Sequence, residues 1–127
     1  MSVVLLVGAG GFAGSILRYL LNRGIQQLLP TGTTSPYGIL AVNVAGCFII
    51  GVLGGLASTY GLLGPSSGAR TFLFTGFLGG FTTFSAFGYD TLILLREGEV
   101  ALALANVALH VLLGLGAVWL GYRLALL

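Results

Sequence analysis

Four apolar stretches decide what this chain can fold into: Val3–Leu21, Tyr37–Tyr60, Thr71–Leu95 and Val100–Leu126. A helix that crosses a bilayer takes about 20 mostly apolar residues, and each stretch meets or approaches that length. The separators are polar or helix-breaking. Leu29–Pro36 carries two prolines and three threonines, Gly61–Gly68 carries glycines, a proline and two serines, and Arg96-Glu97-Gly98-Glu99 reads as a tight charged turn. Only 6% of the 127 residues are charged and 57% are apolar, against about a quarter charged in soluble domains. Such a chain cannot coat a soluble surface. The reading is an all-α integral membrane protein, a single four-helix domain over residues 1–127, with no room for a soluble domain. The start lacks a basic region, so no signal peptide is expected.

Charge and side-chain chemistry exclude other classes. The formal charge of +2 comes from five arginines without a lysine, too few and too scattered to hold nucleic acid. There is one His and one Cys, no paired intramembrane carboxylates and no Ser/His/Asp set, so the sequence offers neither a metal-ligand set nor an activated nucleophile and the chain is not read as an enzyme. Cys47 cannot form an intrachain disulfide and reads as a small packing residue. Gly8-Ala9-Gly10-Gly11-Phe12-Ala13 imitates a dinucleotide-binding turn. That turn needs a βαβ unit and an acidic residue about 20 positions on, and no Asp or Glu precedes Asp90.

Four spans put both termini and the Gly61–Ala69 loop on one side with Arg70 and Arg123, and leave Arg18, Arg23 and Arg96 on the other. Orientation follows the Lys/Arg bias of short loops, and two against three gives almost no instruction. Insertion both ways up is therefore expected, with two antiparallel copies packing about a two-fold axis in the membrane plane. Small-residue motifs that let helix backbones approach occur at Gly10/Gly14, Gly51/Gly55 and Gly76/Gly80. They serve either packing within the chain or the contact between two copies. A dimer is favoured, because four helices supply little wall for a pore.

The third stretch is built wrongly for a plain membrane helix. Gly76-Phe77-Leu78-Gly79-Gly80-Phe81-Thr82-Thr83-Phe84-Ser85-Ala86-Phe87 pairs glycines and threonines among closely spaced phenylalanines, which invites the backbone to leave helical geometry. Irregular backbone at membrane depth is tolerated only where protein buries it or where it lines a cavity, and broken helices are a common way to present backbone groups to an ion. Polar groups in the other spans point the same way. Arg18 is either a snorkelling anchor or a fixed charge that draws an anion inward. Asn43 is either a helix tie or an amide donor to a passing anion. Phe77, Phe81 and Phe84 follow helical spacing and Phe84 and Phe87 are i, i+3 neighbours. They form core packing, or their positive ring edges coordinate an anion without the trapping strength of a full charge. Asn106 and His110 share one helical face, as a helix tie or as part of a polar path.

Gly10-Gly11-Phe12-Ala13-Gly14-Ser15-Ile16-Leu17-Arg18-Tyr19, Val42-Asn43-x-x-Gly46 and the Gly76–Phe87 run together resemble the Fluc (CrcB) fluoride channels, across three spans in the right order. The resemblance implies a dual-topology homodimer of four-helix subunits, its third helix broken near the midplane, with two fluoride pores. It also implies a structural sodium ion at the dimer interface, held by the backbone carbonyls of Gly79 and Thr82 from both copies and not transported. The implied fluoride path takes in Asn43, Phe84, Ser85 and Phe87, with Thr83 beside them and Arg18 at the family's basic position. Asn106 and His110, with Gly114, stand where the family tends to carry hydroxyls, Ala86 replaces a usual Thr, and Ser15 a commoner Ala.

The expected function is passive, fluoride-selective export across the bacterial inner membrane, with fluoride, membrane lipids and a second copy of the chain as partners. Two rivals differ in class. A small proton-coupled multidrug exporter would want a carboxylate in its first span, where this chain has none. A non-transporting assembly subunit would leave the clustered hydroxyls of the third stretch without a purpose.

Overall fold

The structure, a computed structural model of one chain, describes residues 2–29, 35–61, 63–64 and 67–127, with Tyr60 by its backbone alone. Parts of the two first separators, Pro30 to Thr34 with Leu62, Pro65 and Ser66, lie outside the described residues. All regular structure among the described residues is helical: α1 (Val3–Leu28), α2 (Tyr37–Tyr60), α3 (Gly68–Arg70), a π-helical stretch (Thr71–Leu78), α4 (Gly79–Phe81), α5 (Phe84–Arg96) and α6 (Val100–Leu124).

Three helices are long and apolar enough to cross a membrane: Val3–Leu28, Tyr37–Thr59 and Val100–Leu124. The chain is a multi-pass membrane protein. The first helix runs on to Leu28 rather than stopping at Leu21, because the polar residues there suit a helix that leaves the bilayer. Arg23 Nη1 donates to the Tyr19 hydroxyl one turn back at 2.8 Å, and Gln26 and Gln27 cost little helix propensity. At the start, the Ser2 hydroxyl accepts the Leu5 amide at 3.4 Å. The third stretch differs most from an ordinary helix. Its pieces follow one another from Gly68 to Arg96, and none alone reaches spanning length.

Helix ends follow local chemistry. Gly61 closes α2 in the left-handed region at φ 62°, a conformation that costs glycine no Cβ clash. Gly98, at φ 81°, turns the chain between α5 and α6. Its amide bonds Leu95 O at 3.2 Å and the Glu99 amide bonds Leu94 O at 2.9 Å, which together make a Schellman stop.

Backbone approach organises the packing. The Thr71–Leu78 stretch and α4 lie along α1, α2 lies along α6, and α5 leans on α6. A Cβ built on Gly10 would come within 2.7 Å of the Phe77 amide and 2.9 Å of Gly76 Cα. One on Gly14 would lie 2.8 Å from the Phe81 amide, and one on Gly80 2.9 Å from Gly11 Cα. On the other pair, Gly51 meets the backbone of Val118 and Tyr122, Gly55 meets Tyr122 and Ala125, and Gly121 meets Phe48 and Val52. All three small-residue motifs are thus used inside the chain. They do not argue for a dimer, because their flat faces are already covered by a neighbouring helix backbone.

Few side chains are deeply buried: Val42, Leu78 and Phe81 form the centre, with Ala45, Ile49, Leu53 and Phe77 against it. The outer faces carry large apolar groups such as Leu112, Leu115 and Trp119. Lipid tails are as apolar as these side chains, so close packing rather than water exclusion holds the helices together.

Candidate functional site

Two residues of the third stretch leave helical geometry. Thr82 has φ −88° and ψ 154°, Thr83 has φ −151° and ψ 119°, and together they separate α4 from α5. Asn43, on α2, takes both backbone groups of Thr83. Its Oδ1 accepts the Thr83 amide at 2.9 Å and its Nδ2 donates to the Thr83 carbonyl at 3.0 Å. Gly46, one turn along α2 from Asn43, packs against the Thr82 methyl group and the Phe81 ring, so the spacing of Val42-Asn43-x-x-Gly46 fits the extended pair against α2.

The clamp redirects donors that a continuous helix would spend on two carbonyls. In an α-helix the amide of residue i bonds the carbonyl of i−4. The Thr83 amide, due to Gly79 O, goes to Asn43. The Ala86 amide, due to Thr82 O, meets Thr83 Oγ1 at 3.3 Å as an N-cap of α5. The Thr82 amide and hydroxyl both go to Leu78 O, at 3.0 and 2.9 Å. Gly79 is exposed, and a Cβ built there would meet nothing within 4 Å.

The interruption also divides the phenylalanine stripe. Phe77 and Phe81 stack at 5.8 Å between centroids, nearly parallel, with Phe81 in the core. Phe84 and Phe87 lie beyond the extended pair, at 5.3 Å and tilted by 55°. The i, i+7 relation of Phe77 and Phe84 therefore does not place them on one face, because two extended residues break the helical count. Phe84 is 82% exposed, an unusual position for so large a ring unless it faces lipid, an ion path or a second chain.

A cavity of about 350 Å³ opens beside this segment, lined among others by Asn43, Thr82, Thr83, Phe84, Phe87 and His110. Residues far apart in sequence thus converge. The His110 ring lies 4.4 Å from the Phe87 ring, tilted by 42°. Its Nδ1 is 2.9 Å from the Asn106 backbone carbonyl, while its Nε2 is buried without a hydrogen-bond partner among the described residues. Asn106 stands behind, 3% exposed. Its Nδ2 donates to Thr91 Oγ1 at 2.9 Å and Thr91 donates to the Phe87 carbonyl at 2.8 Å, while its Oδ1 has no partner among the described residues.

Other candidate residues sit outside the cavity lining. Ser85 is exposed and its hydroxyl lies 3.0 Å from Thr83 Oγ1. Arg18 is half-buried on α1. Two participants escaped the sequence reading. Cys47 lines the cavity, and Thr91 ties Asn106 to the Phe87 backbone. Thr91 continues the i, i+3, i+7 face begun by Phe84 and Phe87, and that face is the signal that would have found it.

Comparison with known proteins gives the chain's family. Residues 5–122 match the family model described as CrcB-like protein, Camphor Resistance (CrcB). Proteins named fluoride-specific ion channel FluC are similar over nearly the whole length. The one from Methylobacillus flagellatus is 45% identical, covering 98% of this chain and 94% of its own. That from Parabacteroides distasonis is 46% identical over 95% and 91%, and that from Rhizobium meliloti 45% over 98% and 96%. These relatives are named as channels, a class apart from enzymes. On the strength of a match spanning all its helices, the chain belongs to the CrcB family.

Proposed function

We propose that this protein is a fluoride-selective channel that lowers cytoplasmic fluoride by passive export across the bacterial inner membrane. Fluoride enters a cell from acidic surroundings as neutral HF, dissociates and is trapped as the anion. A passive anion pore then relieves the load. One observation carries the reading: Asn43, Thr83, Phe84 and Phe87 converge on one cavity at the interrupted third span, in a chain similar to proteins named for fluoride over nearly all its length.

The chemistry suits a small hard anion. Ring edges of Phe84 and Phe87 carry partial positive charge, and the Thr83 and Ser85 hydroxyls, bonded to each other, keep one O–H between them to donate. Together they replace hydration without a fixed full charge, so that the ion is released again. The working unit in this reading is an antiparallel, dual-topology homodimer, in which the interrupted segments of two copies meet near the bilayer midplane and the exposed Phe84 gains a wall.

A structural sodium ion belongs to the same proposal. The Gly79 and Thr82 carbonyls fit such an ion, because the amides that would have satisfied them are taken by Asn43 and by Thr83 Oγ1. Unpaired carbonyls at membrane depth cost several kcal/mol. Four neutral oxygens from two copies would hold the cation, and the shared ion would tie the two copies together. An experimental structure showing those carbonyls bonded to amides, with no ion between them, would remove sodium from the scheme.

The test of the path is fluoride-electrode efflux from liposomes holding purified protein. Phe84→Ile and Phe87→Ile keep apolar bulk and lose ring edges, so each is expected to cut efflux by at least about tenfold, the loss of roughly 1.4 kcal/mol of ion stabilisation, while the protein stays folded. Near-normal efflux from both variants would refute the path.

A further inference from the structure

The tautomer of His110 is fixed by what surrounds it. Its Nδ1 sits 2.9 Å from the Asn106 backbone oxygen, and a carbonyl only accepts. Nδ1 therefore carries a proton, and in the neutral ring Nε2 holds a bare lone pair. That nitrogen is buried and without a partner among the described residues, on a ring that packs against Phe87 and lines the cavity with Phe84 and Thr83. A bare lone pair repels an anion that comes near it, whereas the same nitrogen with a proton donates to it. The ring cannot escape by flipping without giving up the Asn106 bond.

We propose that His110 is a proton-controlled anion ligand: its imidazolium Nε2–H takes a fluoride ion as it passes the Phe87 ring, and its neutral form closes that station. The proposal rests on the fluoride reading above and adds a ligand whose donor exists only when the ring is charged. Binding of a proton and of fluoride then help each other, as linkage requires of any two ligands that favour one state. Transport is fastest on the acidic side of the imidazole titration. A charge that comes and goes also avoids the trapping that a permanent Arg or Lys would impose on a small hard anion.

Other ionisable groups near His110 are few. From α5, Asp90 lies within electrostatic reach, while Tyr89 is exposed and Arg96 sits at the helix end. From α2, Cys47 lines the same cavity, and Tyr37 and Tyr60 are at the helix ends. On α6 itself, Glu99, Tyr122 and Arg123 stand near the termini, on the order of 15–20 Å away at 1.5 Å per residue. Among the described residues Asp90 is thus the rival source of a pH effect at this depth, since its carboxyl repels an anion when ionised and donates when protonated, and a His110→Gln profile that keeps the wild-type slope would point to it.

The experiment uses the full-length, untagged channel, whose only histidine is His110. Fluoride efflux from proteoliposomes is measured from pH 5 to 8, the range in which imidazole ordinarily titrates, with leak from protein-free liposomes subtracted. Wild-type efflux should fall roughly tenfold across that range, and His110→Gln, which keeps an amide donor but cannot titrate, should be flat. Because the variant could fail to fold, the second readout uses the wild type alone. With ¹⁵N-labelled histidine, replacing chloride by fluoride should move the ring's titration midpoint to higher pH. A flat wild-type profile with efflux intact, a His110→Gln profile like the wild type's, or a midpoint indifferent to fluoride would overturn the inference and leave the channel reading standing. Absence of fluoride efflux at every pH would overturn both.

Discussion

Asn43 shows how one side chain does work that its neighbours in sequence do not reveal. In the sequence it reads as a helix tie or as an anion donor, and both readings rest on its being polar in an apolar span. The structure commits its oxygen and one of its two N–H groups to the Thr83 backbone, 40 positions away, so its first effect is to hold two extended residues in place. Nothing local to Asn43 encodes that partner. Asn43→Leu keeps the volume but strands one buried donor and one acceptor on Thr83, at about 1–3 kcal/mol each. A fall of about 2–6 kcal/mol in unfolding free energy in detergent and loss of most fluoride efflux are expected. Asn43→Leu with wild-type stability and flux would show that the clamp is dispensable. His110 and Asn106 were legible as a pair on one face, and their i, i+4 contact is present. Which nitrogen of the ring stays free was not legible, because it depends on a backbone oxygen.

Among the elements, the glycine motifs were visible in the sequence but their partners were not. Spacing shows that a helix has a flat face. It does not show which helix lies against it, and two uses stayed open until α1 met the Thr71–Leu78 stretch and α2 met α6. The π-helical turns of the third stretch left no sequence signal either. The backbone of α1 lies against them at Gly10 and Gly14, and π turns often accompany functional segments. A direct check compares two glycines. At Gly14 even a methyl group meets the Phe77 and Phe81 backbone, while Gly116 has open space around it. Gly14→Ala should destabilise by about 1–3 kcal/mol or more, as overpacking does. Gly116→Ala should be neutral or gain up to about 1 kcal/mol from better helix propensity. Equal stability of the two variants in thermal unfolding would contradict the packing described.

At the scale of the whole molecule, the membrane class follows from hydropathy alone; three spanning helices coincide with three of the four apolar stretches, two of them within two residues at each end and the first running on from Leu21 to Leu28. The remaining one, Thr71–Leu95, is helical but divided. Assembly is a different matter, since the three small-residue motifs are already covered within one chain. The dual-topology proposal rests on arginines at both ends of the molecule, with Arg123 over the Trp119 ring at 5.9 Å on one side and Arg23 bonded to Tyr19 on the other. Reporters fused to the C-terminus should read out from both faces of the membrane in comparable amounts, and a single strong orientation would contradict that arrangement.

Passive conduction of the fluoride anion is the central claim, and charge balance tests it most directly. Liposomes holding the protein are loaded with potassium fluoride at neutral pH and diluted into fluoride-free sodium buffer. A channel that moves only the anion soon stops, because each departing ion leaves positive charge behind. Adding the potassium carrier valinomycin should then release fluoride in one rapid phase at the electrode, and the same liposomes loaded with chloride should release little. Full fluoride release before the carrier is added, or equal release of chloride after it, would contradict the account.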